Sequence, residues 1–187
     1  DSVGASIGEG VTRRAMEAVG LAALAVVIYI TFAFRGVPHA FRYGICAIIA
    51  MIHDVLIVLA LTGYGAKLFG WQVDSLYLTA LLTVIGFSVQ DKIVVFDRIR
   101  ENLKKMSHKG LPEIINTSIN QTFSRTILTN LTVIIVLFSL YFLGGEVIHD
   151  FAFSLLVGCF FGTYSTIYIA GPLVIYWEKI FPAKRRR

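Results

Sequence analysis

His53, Asp54, Asp91, Lys92 and Arg125 are the residues of this 187-residue sequence whose types could move a proton or switch an ion pair, because each interrupts an otherwise apolar run. A charge in the middle of a membrane helix costs about 2.5–3.5 kcal/mol, so such groups turn inward and find partners. Around Arg125 the pattern is periodic: Thr122, Arg125, Thr126, Thr129 and Asn130 recur at i, i+3, i+4, i+7 and i+8, which draws a polar stripe down one helix face. Leu128, Leu131, Ile134 and Ile135 fill much of the remainder. A polar stripe among lipid-soluble residues is either a buried face or the wall of a water-filled path. Asp91 lies six residues inside Asp97, about 9 Å at helical rise, and Arg125 about one turn or slightly more inside its own helix, so the two meet at similar depth. Asp54, about 16 Å deep, lies nearer the midplane and need not share that pair. His53 points about 100° away from Asp54, and neighbours on a helix do not face each other, so adjacency does not make them a dyad. Lys92 is expected to snorkel toward the interface. A buried Asp–Arg pair that merely holds helices in register has the same sequence signature as a relay.

The elements that must position these groups follow from composition. With 56% hydrophobic and 16% charged residues, the chain carries more apolar surface than a small soluble core hides. The expected fold is all-α, a polytopic membrane bundle of five transmembrane helices near 16–34, 43–64, 75–97, 122–144 and 151–177, each long enough to cross a hydrocarbon core. The whole chain reads as one transmembrane domain. The segment 98–121, with Pro112 and its Asn/Ser-rich stretch Asn116 to Gln121, is expected to be the long cytoplasmic loop, partly helical on the membrane surface.

Basic residues give the orientation. Arg35 and Arg42, then Arg98, Arg100, Lys104, Lys105 and Lys109, then Lys179, Lys184 and Arg185 to Arg187 fall on one face, against Arg13, Arg14 and Lys67 on the other. The first face is therefore expected to be cytoplasmic, with the N-terminus outside. This accounts for a net charge of +5 without a nucleic-acid partner. Tyr64, Trp71, Tyr77, Tyr176 and Trp177 sit where interfacial aromatic belts belong. No cleavable signal peptide is visible in the first residues. Cys46 and Cys159 read as packing residues, with no disulfide and no metal expected. Gly158 and Gly162 have the spacing of a close helix approach. An intramembrane hydrolase is disfavoured by the absence of HExxH and GxSxG, so no enzyme activity and no cofactor are expected.

The run Gly86-Phe-Ser-Val-Gln-Asp-Lys-Ile-Val-Val-Phe-Asp-Arg-Ile-Arg-Glu-Asn102 resembles the signature of the SecF branch of the SecD/SecF protein-export family. It is joined by His53-Asp54, by Ser124-Arg125-Thr126-Ile-Leu-Thr-Asn130, by Gly144-Gly145 and by Gly162-Thr-Tyr-Ser165, and the resemblance runs in order over essentially all of the chain. It implies the resistance-nodulation-division membrane fold and a proton-motive-force-driven subunit of a bacterial cell (inner) membrane complex that assists protein export. The implied partners are a six-helix SecD, the SecYEG translocon, YidC, protons and membrane lipids, with preprotein handled by domains absent here. Family members have a first helix and a periplasmic domain ahead of the region matched, and this chain resembles the part after that domain. Carried over by position, the relay carboxylate falls on Asp91 and the relay arginine on Arg125, with Ser88, Thr126, Thr129 and Asn130 as the supporting polar face and Asp54, His53 and Lys92 as secondary candidates. The chain departs from the family at Lys92, where Thr or Ser is usual and where a cation is expected to hold Asp91 ionised, and at Asn130, where Ser is usual. A proton-driven exporter of small molecules or lipids and a structural scaffold are the competing readings. The exporter should carry large outer domains and lack the Asp97-Arg98-Ile-Arg-Glu101 ending.

Overall fold

A computed structural model of the chain describes residues 2–35, 40–69 and 75–181. Helix follows helix: α1 (Ser2–Ala33), α2 (Ala40–Phe69), α3 (Ser75–Lys105), α4 (Leu111–Leu143) and α5 (Glu146–Ser165), which runs through a π-helical turn (Thr166–Ala170) into α6 (Gly171–Ile180). There is no strand among the described residues. Phe41–Gly65, Leu76–Lys105, Leu111–Leu143 and Ile148–Ile180 are each long and apolar enough to cross a bilayer, and α1 contributes a shorter apolar stretch, Leu24–Ala33. The chain is an all-helical, multi-pass membrane bundle. Trp71, Lys184 and Arg185 to Arg187 lie outside the described residues.

The stretch 98–121 is not the long loop expected. Within it the chain leaves helix only at 106–110, so α3 and α4 extend well beyond the apolar spans. Each warning sign in the sequence has a helical use. Pro112 sits in the first turn of α4, where its missing N–H is no loss and its fixed φ suits the helix. The charged end of α3 is tied by pairs one turn apart, Arg100 to Asp97 at 2.7 Å and Lys105 to Glu101 at 2.6 Å. The Asn/Ser-rich stretch faces α3: the Asn102 amide donates to Ser118 Oγ and to Gln121 Oε1, both at 2.8 Å.

Between helices in lipid there is little hydrophobic drive, so close fit and internal hydrogen bonds hold the bundle. α3 is its centre, packing on α1, α2, α4 and α5. Gly158 of α5 meets Val84 of α3 so closely that a Cβ there would overlap the valine side chain. Toward one end, Phe34 stacks on Tyr43 with ring centroids 4.4 Å apart, in a cluster with Phe96, Ile99 and Ile115. Cys46 belongs to that cluster and Cys159 to a second one around Val58, Val84 and Leu155; both are buried free thiols. The outer surface is apolar, with Ile28, Phe32, Leu56, Leu128, Val136 and Phe142 all more than half exposed, the surface of a protein whose solvent is hydrocarbon.

Candidate functional site

Two polar clusters lie back to back on α3. Asp91 and Lys92 are consecutive, so their side chains leave the helix about 100° apart and meet different neighbours.

Lys92 faces inward. Its side chain and that of Asp54 are fully buried, and the ammonium donates to Asp54 Oδ2 at 2.6 Å. It also donates to the Ser88 carbonyl at 3.2 Å and closely to Ser88 Oγ. The same carboxylate oxygen accepts from Ser88 Oγ at 2.5 Å and from Ser165 Oγ at 2.7 Å, which joins α2, α3 and α5 at one point. Gly162, one turn before Ser165, lies against the cluster: its Cβ position is 3.5 Å from Ser88 Cα and 4.0 Å from Asp54 Oδ2. On the far oxygen, His53 Nδ1 stands 3.1 Å from Asp54 Oδ1. Two expectations are corrected here. Lys92 does not snorkel to an interface, because a carboxylate at hydrogen-bond distance outweighs escape to water. His53 and Asp54 do touch despite their angular separation, because the short aspartate leaves one oxygen free to turn along its own helix.

Asp91 faces the other way, toward α4. It is half-buried, and Oδ2 accepts from the Asn130 amide at 2.5 Å. Asn130 is held in place by a second bond to the Thr126 carbonyl at 2.9 Å. Asp91, Gln90, Arg125, Thr126, Thr129 and Asn130 line a cleft of about 220 Å³ between α3 and α4. Within it the Thr126 hydroxyl is buried and has no hydrogen-bond partner among the described residues. The Thr129 hydroxyl turns back to the Arg125 carbonyl at 2.6 Å. Arg125 itself is exposed on α4, and no ion pair closes between it and Asp91 among the described residues. The stripe on α4 is therefore split: Thr122, Thr126 and Asn130 are buried, while Arg125 and Thr129 look outward.

The structure thus brings together Asp91, Asn130, Thr126, Thr129 and Arg125 around one cleft, and assigns Ser88, Lys92, Asp54 and His53 to the other cluster. The expectation that Lys92 serves Asp91 as a counter-ion gives way to its pairing with Asp54. Ser165 escaped notice as a site residue, although its spacing from Gly158 and Gly162, i, i+4 and i+7, marked a small and polar seam along α5. So did the pair between Arg42 and Glu178, 2.6 Å apart, which ties α2 to α6.

Residues 1–180 match the family model of the protein export membrane proteins SecD/SecF, C-terminal part. The chain is 59% identical over 179 residues to the protein translocase subunit SecF of Anaerolinea thermophila, covering 95% of this chain and 58% of that protein. It is 42% identical over 178 residues to the protein translocase subunit SecDF of Thermus thermophilus, covering 95% of this chain and 23% of that one. The crystal structure of SecDF in its super-membrane-facing form superposes with a TM-score of 0.82 at 41% identity, over 92% of this chain and 22% of that chain. The chain thus spans little more than half the length of the SecF relative. A fold match at this identity, together with a family model spanning nearly every residue, leads to one assignment: the chain belongs to the SecD/SecF family of protein export membrane proteins.

Proposed function

We propose that this chain supplies half of the proton-conducting membrane bundle of a SecDF complex, which uses the proton-motive force to assist protein export through the Sec translocon. The observation that carries this reading is Asp91: a half-buried carboxylate inside a membrane helix, held by one neutral amide and facing a cleft that an unpartnered hydroxyl also lines. A carboxylate held by an amide rather than locked by a cation can take up and release a proton without breaking the bundle.

In the proposed cycle, ionised Asp91 attracts Arg125, and protonation from the outer side releases the arginine to Thr129, to Asn130 or to groups of SecD. The helices re-pack, and release of the proton to the cytoplasm resets the site. One proton crossing 100 mV supplies about 2.3 kcal/mol, and each pH unit about 1.4 kcal/mol. That is enough to bias a two-state bundle, although moving it from 1:99 to 99:1 takes about 5.5 kcal/mol. SecD is the proposed partner because a relative of this chain is a single protein named SecDF. The exposed Arg125 face of α4 is where SecD would sit. Contacts to SecYEG, YidC and preprotein would come through other parts of the complex. The basic faces orient the N-terminus outward and the C-terminus to the cytoplasm of a bacterial inner membrane.

The test is late-stage export, with and without a proton gradient, in cells that depend on this subunit. Asp91→Asn and Arg125→Ala are each expected to abolish the stimulation by the gradient. Export that remains gradient-dependent in both variants overturns the relay.

A further inference from the structure

The inner cluster on α3 is built like an ion site already filled. An ammonium has three N–H donors, and the Lys92 ammonium meets three oxygens of different kinds: the Asp54 carboxylate, the Ser88 hydroxyl and the Ser88 carbonyl. Ser165 contributes a further hydroxyl on the same carboxylate oxygen. Asp54, Ser88, Lys92 and Ser165 are all essentially without solvent exposure, and their oxygens come from three separate helices. Such a set, hard oxygens with no thiolate and no metal-bound imidazole geometry, suits an alkali or alkaline-earth cation rather than a transition metal. Charge decides between these two. The cage holds one carboxylate, so a single positive charge neutralises it, whereas a divalent ion would leave a net buried charge, which is costly. The Lys92 stem delivers that single charge from α3.

We propose that Asp54, Ser88 and Ser165 form a monovalent-cation cage whose resident cation is the Lys92 ammonium, making Lys92 the residue that excludes free alkali cations from it. A tethered ammonium cannot dissociate, so the cage neutralises Asp54 permanently and passes no ion. Removing the tether leaves the oxygens in place and the site open to Na⁺, Li⁺ or K⁺. This holds whether or not Asp91 relays protons.

The experiment is thermal unfolding of the full-length protein in detergent, titrated with NaCl, LiCl or KCl at ionic strength held constant with choline chloride. Wild type is expected to give a flat Tm. Lys92→Ser is expected to gain about 3–5 °C for each tenfold excess of one alkali ion over its Kd. The double variant Asp54→Asn with Lys92→Ser, which lacks the anionic ligand, is expected to be flat again. If Lys92→Ser is not recovered folded in choline, extraction in the preferred alkali salt is expected to restore it. A flat Tm for folded Lys92→Ser in all three salts overturns the cage. So does an equal gain in the double variant, or failure to recover Lys92→Ser in any salt.

Discussion

On the inner side of α3, the Asp54 carboxylate is surrounded by a buried lysine, two buried serines and a partly exposed histidine. On the outer side, one residue from Lys92 in sequence, the Asp91 carboxylate has a single amide, a neighbouring cleft and an arginine that looks away from the bundle. Both are carboxylates among apolar side chains, and they differ in what would happen if they were discharged. Neutralising the first strands a buried ammonium; neutralising the second strands nothing. Burial alone does not distinguish a structural charge from a working one. The number and sign of the partners do.

The largest break in this contrast is expected from Asp54→Asn, which leaves Lys92 uncompensated. Unfolding in detergent should show a loss of about 3–5 kcal/mol, and a variant as stable as wild type would mean that the inner cluster is no lock. Ser165→Ala removes one charge-assisted bond from the same oxygen and is expected to lower stability by about 1.5–3 kcal/mol in the same measurement. The seam beside it separates fit from chemistry. Gly158→Ala drives a methyl into Val84 and should cost about 1–3 kcal/mol, whereas Gly162→Ala meets only ordinary contact distances and should stay within about 1 kcal/mol of wild type. Equal losses at the two glycines would show that the spacing matters more than the particular neighbours. The smallest effects belong to the open cleft: Asp91→Asn and Thr126→Val are each expected to change stability by less than about 1 kcal/mol. A large loss at either would close the gap between the two clusters.

Much of the architecture was legible because lipid permits few solutions: apolar runs of spanning length announced the helices, and the intramembrane charges announced where to look. The stripe on α4 was legible in phase, and Asn130 and Thr126 do face α3 beside Asp91. What could not be read was which neighbour each charge would choose. Lys92 looked like a residue near the end of a span, and only the position of α2 relative to α3 brings Asp54 within 2.6 Å of it. Ser165 was visible as part of a small and polar seam with Gly158 and Gly162, but an uncharged hydroxyl does not say which carboxylate it meets. The region 98–121 was misread for a local reason: Pro112 and the polar cluster after it are loop signals on average, yet a proline in the first turn and amides facing a neighbouring helix are compatible with helix.

The π turn after Ser165 bears on how the final rod can vary in length. On a straight helix the seam of Gly158, Gly162 and Ser165 would continue through 169, 172 and 176, yet Pro172 and Tyr176 are exposed, and the buried positions are Thr166, Ala170, Gly171 and Val174. The turn holds a residue more than an α turn and so resets the angular phase of everything beyond it. Gly171 is thereby set against Ile115 and Ile119 of α4, and Glu178 against Arg42. Deleting a single residue between Thr166 and Ala170 would take out that extra residue and leave an unbroken α-helix with α6 facing nearly the same way, whereas deleting one from the regular α-helical part would rotate everything beyond it by about 100°. The turn is therefore the one stretch of the α5–α6 rod where a residue can be lost without turning α6 away from α4 and Arg42.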